Sequence, residues 1–111
     1  MVRPYQRILA IDLHRLLITR PSRSLLLPVH GESMQGAGIH AGDLLLVERD
    51  GHPRDGQIVV ALLADGFTVK HLRRHGDRWW LEAAHPAFPA LALDPAEARI
   101  WGIVTHVIRR L

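Results

Sequence analysis

Apolar runs rich in valine, leucine and isoleucine alternate with turn-forming segments along most of the chain. Short runs of this kind, bounded by glycine, proline and aspartate, are typical of β-strands. The predicted strands are residues 25–29, 44–48, 57–63, 67–73, 78–82 and 100–110. Ala64-Asp65-Gly66 separates two of them, and an Asp-Gly pair between apolar runs predicts a hairpin. The pattern therefore predicts a mostly β protein.

One short helix is predicted before the first strand. Leu13, Leu16 and Leu17 recur at helical spacing. Asp12 supplies a side-chain oxygen suited to an N-cap, and Pro21 prevents the helix from continuing. We expect this helix to cover an edge of the sheet.

The length of 111 residues is that of one domain with a single core. Residues 1–10 show no firm periodicity and are interpreted as an N-terminal arm, which leaves residues 11–111 as the folded domain. No apolar run approaches the length of a membrane-spanning helix, so no membrane association is expected. The chain has no cysteine, which excludes disulfides and a thiol nucleophile and fits a cytoplasmic setting.

A glycine-rich polar segment, residues 29–43, separates the first two predicted strands. Ser33 lies near its start, and Gly36, Gly38 and Gly42 permit backbone conformations that other residues obstruct. Such a loop can expose one hydroxyl group to a substrate. We call it the Ser33 loop.

A serine hydroxyl needs a base beside it before it can attack a carbonyl group. Strand alternation in residues 67–73 places Thr68 and Lys70 on one face and Phe67 and Val69 on the other. Burial within an apolar strand would lower the pKa of Lys70 and let the neutral amine act as that base. Taken singly, Ser33 is more simply an ordinary turn residue and Lys70 a surface lysine, and only their combination favours catalysis.

Three segments carry a family resemblance: GESMQGAGIHAGDLLLVERD, GQIVVALLADGFTVKHL and IWGIVTHVIR. They resemble, in order, the catalytic domain of the LexA and UmuD family of self-cleaving serine peptidases, and IDLHRLLITRPS resembles the region that precedes this domain in UmuD. The resemblance implies a domain of twisted antiparallel strands like that of signal peptidases, with one short N-terminal helix.

The same resemblance implies the site. The serine of the G-x-S-M motif is the nucleophile and the lysine of the T-V-K motif is the general base, which are Ser33 and Lys70 here. The oxyanion is expected to bind backbone N–H groups of Ser33 and Met34, and Gly31, Met34 and Thr68 are expected to line the substrate cleft. No metal or cofactor is expected, because His71 and His75 fall in a strand end and a turn rather than on one helix face.

UmuD is the nearer member, which implies an accessory subunit of an error-prone translesion polymerase in the SOS response to DNA damage. The implied partners are a second copy of the chain, a UmuC-type Y-family DNA polymerase and the RecA filament on single-stranded DNA. An active self- or trans-cleaving peptidase, a LexA-like regulator stimulated by that filament, is the alternative. A LexA-like repressor is less favoured because no helix-turn-helix segment precedes the domain.

The last predicted strand is more apolar than an exposed edge strand should be. We expect it to pair with its own copy, as the resemblance to UmuD also implies, with Ile100, Trp101, Val104 and Val107 in the dimer interface. The arginines are scattered, without interleaved aromatic residues, so direct sequence-specific DNA binding is not expected despite the formal charge of +3.

Self-cleaving relatives carry an Ala-Gly or Cys-Gly bond in an arm upstream of the catalytic domain. Residues 1–10 contain neither pair, and Ala37-Gly38 and Ala41-Gly42 lie inside the Ser33 loop, where cutting would destroy the site. The chain therefore resembles the processed form of a UmuD-type protein, and self-cleavage is not expected.

Overall fold

A twisted antiparallel sheet, preceded by one short helix, makes up the part of the protein that the computed structural model describes, residues 12–94 and 98–111. The predicted arm, residues 1–10, lies outside that part. The helix is α1 (Leu13–Leu17), and the strands are β1 (Ser24–Pro28), β2 (Leu44–Glu48), β3 (Ile58–Leu63), β4 (Gly66–His75), β5 (Arg78–Glu82), β6 (Leu91–Ala92) and β7 (Arg99–Ile108). Their order in the sheet is β1-β2-β7-β3-β4-β5-β6. The predicted fold class is confirmed.

The predicted strands match the observed ones closely, and β6 is the one that sequence analysis missed. It has only two residues, within a proline-punctuated segment, and Leu91 pairs with Leu81 of β5. So short a strand is stabilised by its neighbour rather than by a local pattern of its own.

Asp12 caps α1 as predicted, because its carboxylate accepts a hydrogen bond from the Arg15 N–H at 3.2 Å. The expectation that α1 covers a sheet edge is wrong. Leu13 and Leu16 are 58% and 60% exposed, and no residue of α1 is buried. A single turn is too short to bring these leucines onto the sheet. Among the described residues, no helix has the length and apolar composition needed to cross a lipid bilayer.

Strand β7 joins the two parts of the sheet. Residues 99–103 pair with β3, whereas residues 103–108 pair with β2. Gly102 lies at the crossing of these ladders, and a Cβ atom there would collide with Cγ1 of Val47. Only glycine fits at this position.

Two apolar clusters pack on opposite faces of β3. Val60 belongs to the cluster under the Ser33 loop, with Met34 and Ile39, whereas Val59 and Ala61 face the second cluster. Successive side chains of a strand point to opposite faces, so burial on both sides explains why β3 reads as an unbroken apolar run.

Candidate active site

The Ser33 loop connects β1 to β2 and lies over the first apolar cluster. Met34, directly after the half-buried Ser33, is 2% exposed and anchors the loop in the core. Gly31 precedes Ser33 with φ of +85°, a left-handed conformation that favours glycine. The Gly36 N–H donates to the Ala84 carbonyl at 2.7 Å, and a Cβ atom on Gly36 would lie 2.7 Å from the same oxygen. This close approach joins the loop to the segment after β5.

Lys70, on β4, reaches under the Ser33 loop. Its Nζ lies 2.9 Å from Ser33 Oγ, 2.7 Å from Thr68 Oγ1 and 3.2 Å from the Val69 carbonyl oxygen. Lys70 is only 6% exposed. The predicted face of β4 thus brings Thr68 and Lys70 to Ser33.

Burial lowers the pKa of Lys70, because desolvation disfavours the ammonium form. All three of its hydrogen-bond partners are uncharged oxygens, so none offsets the desolvation with a negative charge. A neutral amine has two N–H groups and one lone pair. If the N–H groups donate to Thr68 Oγ1 and the Val69 carbonyl, the lone pair is left to accept the Ser33 hydroxyl proton.

The N–H groups of Ser33 and Met34 donate to no acceptor within the described chain. Neighbouring loop amides are occupied: Gln35 N–H donates to the Glu32 carbonyl, and Ile39 N–H to the Met34 carbonyl. The two amides beside the hydroxyl are therefore available to a ligand oxygen.

Two cavities of about 290 Å³ each share Phe67 and Thr68 in their linings, and Lys70 lines the first of them. One is lined by residues that include Leu63, Phe67, Thr68, Lys70, Phe88 and Leu91. The other is lined by residues that include Val29, His30, Met34, Ile39, Phe67 and Thr68. Thr68 borders both cavities and Met34 one, whereas Gly31 borders neither. Most of the residues that line the two cavities are apolar, as is usual for ligand-binding pockets.

Sequence analysis missed Phe88, which lies in the segment between β5 and β6. The centre of its ring is 5.8 Å from Lys70 Nζ, and the ring meets that of His85 edge-on at 5.2 Å. Phe88 is 45% exposed despite its size. No local pattern marked it, because its position depends on how this irregular segment folds back over β4.

Sequence analysis also missed the ion pair between Asp43, at the end of the Ser33 loop, and Arg109, directly after β7. Arg109 Nε lies 2.7 Å from Asp43 Oδ1 and Nη2 lies 2.6 Å from Oδ2. Asp43 is 2% exposed. The hydrogen bonds from Arg109 hold the pKa of this carboxyl well below its usual range. A buried aspartate requires such a partner, but sequence alone does not identify which arginine supplies it.

The residues predicted for a dimer interface fall into two groups. Ile100 pairs with Ala61 of β3, and the Trp101 ring packs edge-on against Phe67 at 5.1 Å. This half of β7 thus pairs with β3, on one side. Val104 packs partly against the first cluster, and Val107 is 39% exposed. Along residues 104–108, β2 is the one described strand that pairs with β7.

A serine hydroxyl held against a lysine amine is one of the arrangements found in serine peptidases. A profile of the Peptidase S24-like family matches residues 4–105, and the chain belongs to this family. The resemblance to LexA and UmuD proteins is thereby confirmed.

Two LexA repressors and Protein ImpA are similar to this protein over much of its chain. It is 46% identical over 92 residues to LexA repressor 1 of Pseudomonas syringae pv. tomato, a match covering 81% of this chain and 46% of that protein. It is 50% identical over 86 residues to the LexA repressor of Methylococcus capsulatus, covering 76% of this chain and 43% of that protein. The chain thus spans less than half the length of these LexA repressors. It is 41% identical over 100 residues to Protein ImpA of Salmonella typhimurium, covering 90% of this chain and 68% of that protein.

Proposed function

We propose that the protein is a serine peptidase in which Ser33 is the nucleophile and Lys70 is the general base. The observation that carries the proposal is the 2.9 Å approach of Lys70 Nζ to Ser33 Oγ, with the lysine almost fully buried among uncharged partners. Membership of a peptidase family supports the same reading. General-base catalysis requires hydrogen-bond contact between base and nucleophile and a base whose pKa is brought toward neutrality.

In the proposed reaction, Ser33 Oγ attacks a peptide carbonyl carbon while its proton moves to Lys70 Nζ. The N–H groups of Ser33 and Met34 bind the resulting oxyanion, and Lys70 then returns the proton to the leaving amine. Water hydrolyses the acyl-enzyme with Lys70 again taking a proton. Met34 and Thr68 line cavities that would receive the substrate, and Gly31 lets the loop turn before the nucleophile.

We further propose a UmuD-like role in the SOS response: a dimeric accessory subunit of an error-prone translesion polymerase of the UmuC type. Support comes from the resemblance to UmuD and from relatives named LexA repressor and ImpA. The proposed location is the cytoplasm, because both proposed partners, the polymerase and the RecA filament, act on DNA.

The second half of β7 supports the proposed homodimer. A strand paired on one side presents unused backbone groups on the other, and a second copy related by two-fold symmetry can pair with them. Val107 and Ile108, which are 39% and 38% exposed, would then become covered.

An active self- or trans-cleaving regulator is the second candidate, favoured by the close contact between Ser33 and Lys70. Incubation of the protein with a RecA filament on single-stranded DNA tests it. Mass spectrometry should detect cleavage of this chain, or of an added UmuD-type chain whose own nucleophilic serine is replaced, and Ser33→Ala should abolish it.

The accessory role is tested by co-purification with a UmuC-type polymerase. Binding retained by Ser33→Ala, together with no cleavage by the wild-type protein in the filament experiment, would favour that role alone. Filament-stimulated cleavage without polymerase binding would favour the regulator.

A further inference from the structure

The end of the Ser33 loop is held by hydrogen bonds from Arg109, directly after the last strand, and no sequence motif predicts these contacts. Arg109 donates to both carboxylate oxygens of Asp43, at 2.7 and 2.6 Å, and to the Gly38 carbonyl at 2.7 Å. Asp43 Oδ2 also accepts from the His40 N–H at 2.9 Å. We call these contacts the Arg109 clamp.

The clamp connects to the nucleophile through a short series of contacts. Gly38, whose carbonyl Arg109 holds, precedes Ile39, and the Ile39 N–H donates to the Met34 carbonyl at 3.2 Å. Met34 directly follows Ser33. Ile39 and Met34 are 1% and 2% exposed and belong to one apolar cluster. A shift of the loop at Gly38 would therefore disturb the peptide next to Ser33.

Geometry favours arginine in this role. Its planar guanidinium can bind both carboxylate oxygens and still reach a third acceptor, whereas an ammonium group acts as a single point of attachment. Asp43 is buried, so losing Arg109 would leave its carboxylate without a charged partner, with the His40 N–H as its remaining donor.

We propose that Arg109 is a positioning residue for the Ser33 nucleophile, acting through Asp43 and Gly38. This proposal rests on the proposed peptidase function. Arg109 itself makes no contact with the substrate in this role. The role is to keep the Ser33 hydroxyl and the Met34 amide in the arrangement that Lys70 and the oxyanion require.

A fluorescent fluorophosphonate provides a probe that does not depend on the unknown cleavage sequence. In its reaction, an Oγ–P bond forms at Ser33, the P–F bond breaks and fluoride leaves, while the hydroxyl proton goes to Lys70. Labelling that disappears in Ser33→Ala and Lys70→Met would establish the reaction independently of Arg109.

Arg109→Gln should lower the maximal labelling rate constant by about 10- to 100-fold, the scale expected for a slightly misplaced nucleophile. The midpoint of the pH dependence should not move, because the lowered pKa of Lys70 comes from its burial, and its contacts with Thr68 and Val69 do not involve the Ser33 loop. Arg109→Lys should recover part of the rate. Arg110→Gln removes the same charge from the neighbouring residue, which makes none of the clamp contacts, and should label like wild type.

A wild-type rate in Arg109→Gln, measured on protein shown by circular dichroism to be folded, would overturn the proposal. So would an equal loss in Arg110→Gln, since charge alone would then explain the effect. A shifted pH midpoint would also overturn it, because the variant would be acting on the base.

A wild-type protein that is not labelled would count against the proposed peptidase function. In that case, amide hydrogen exchange tests the positioning role of Arg109 by itself. The clamp predicts faster exchange of the Ile39 amide in Arg109→Gln than in wild type or Arg110→Gln. Unchanged exchange would show that Arg109 does not position the loop.

Discussion

Ser33 Oγ lies 2.9 Å from Lys70 Nζ although 37 sequence positions separate the two residues. The contact depends on the order of the sheet. Ser33 precedes β2, and Lys70 lies on β4, two strands beyond the β7 strand that pairs with β2. The Ser33 loop must fold across this interval, and it does so by burying Met34 and Ile39 on the face of β3 that carries Val60.

Replacing Lys70 with methionine should stabilise the fold at neutral pH while abolishing reaction at Ser33. Methionine has a similar length, and no ammonium group then has to be desolvated. Urea unfolding of both proteins at neutral pH measures the difference. A methionine variant less stable than wild type would contradict the view that burying Lys70 costs stability.

The pH dependence of that stability difference has a definite sign. The pKa of Lys70 is lower in the folded state than its ordinary value of 10.5, so between the two values the unfolded chain binds more protons. Wild-type stability should therefore rise with pH across that window, and the advantage of Lys70→Met should shrink. Below that window Lys70 is protonated in both the folded and the unfolded state, and the stability advantage of Lys70→Met is largest. Ser33→Ala, which keeps Lys70, serves as the control and should retain the pH dependence.

Thr68→Val should slow the reaction of Ser33 by about tenfold, the scale of one hydrogen bond. The substitution keeps the shape of the side chain but removes the Oγ1 acceptor 2.7 Å from Lys70 Nζ. Fluorophosphonate labelling kinetics provide the measurement. Ser24→Ala also removes one hydroxyl hydrogen bond, to the Arg20 carbonyl, and should have no effect. Equal rates in all three proteins would mean that Thr68 does not orient the lysine.

Gly36→Ala should destabilise the protein by about 1–3 kcal/mol, the usual range for overpacking, and should slow labelling as well. The added Cβ atom would meet the Ala84 carbonyl oxygen, which is backbone and cannot rotate away. Gly51→Ala is a matched comparison, because its Cβ atom would meet Cδ1 of Ile103, the movable end of a side chain. Urea unfolding should show the larger loss for Gly36→Ala.

Val107→Lys should weaken self-association, raising the dimer dissociation constant by at least about tenfold, because charge on a stretch of strand that is paired on one side opposes further pairing. Light scattering over a concentration series should show wild-type protein at twice the chain mass of 12.5 kDa and the variant shifted toward the monomer. Leu26→Lys places the same charge on a 52% exposed leucine of β1, another edge, and should not shift the equilibrium. A wild-type monomer at micromolar concentration would contradict the proposed dimer.

The sequence by itself determined every strand except the two-residue β6, the position of the Ser33 loop and the face of β4 that carries Thr68 and Lys70. These are local properties: apolar runs and turn residues specify strands, and alternation specifies which side chains share a face. The bounds of β2 and β5 were predicted to the residue for this reason. The pair Ser33 and Lys70 was selected by motif resemblance, since nothing local measures a distance between them.

Tertiary structure decided what depends on contacts between distant segments. It paired the first half of β7 with β3 and the second half with β2, although the two halves look equally apolar in sequence. It also brought Phe88 over Lys70 and Arg109 against Asp43. Many arginines could have neutralised that aspartate, and only the path of the folded chain selects one, because a buried charge is satisfied by whichever partner the packing brings within reach.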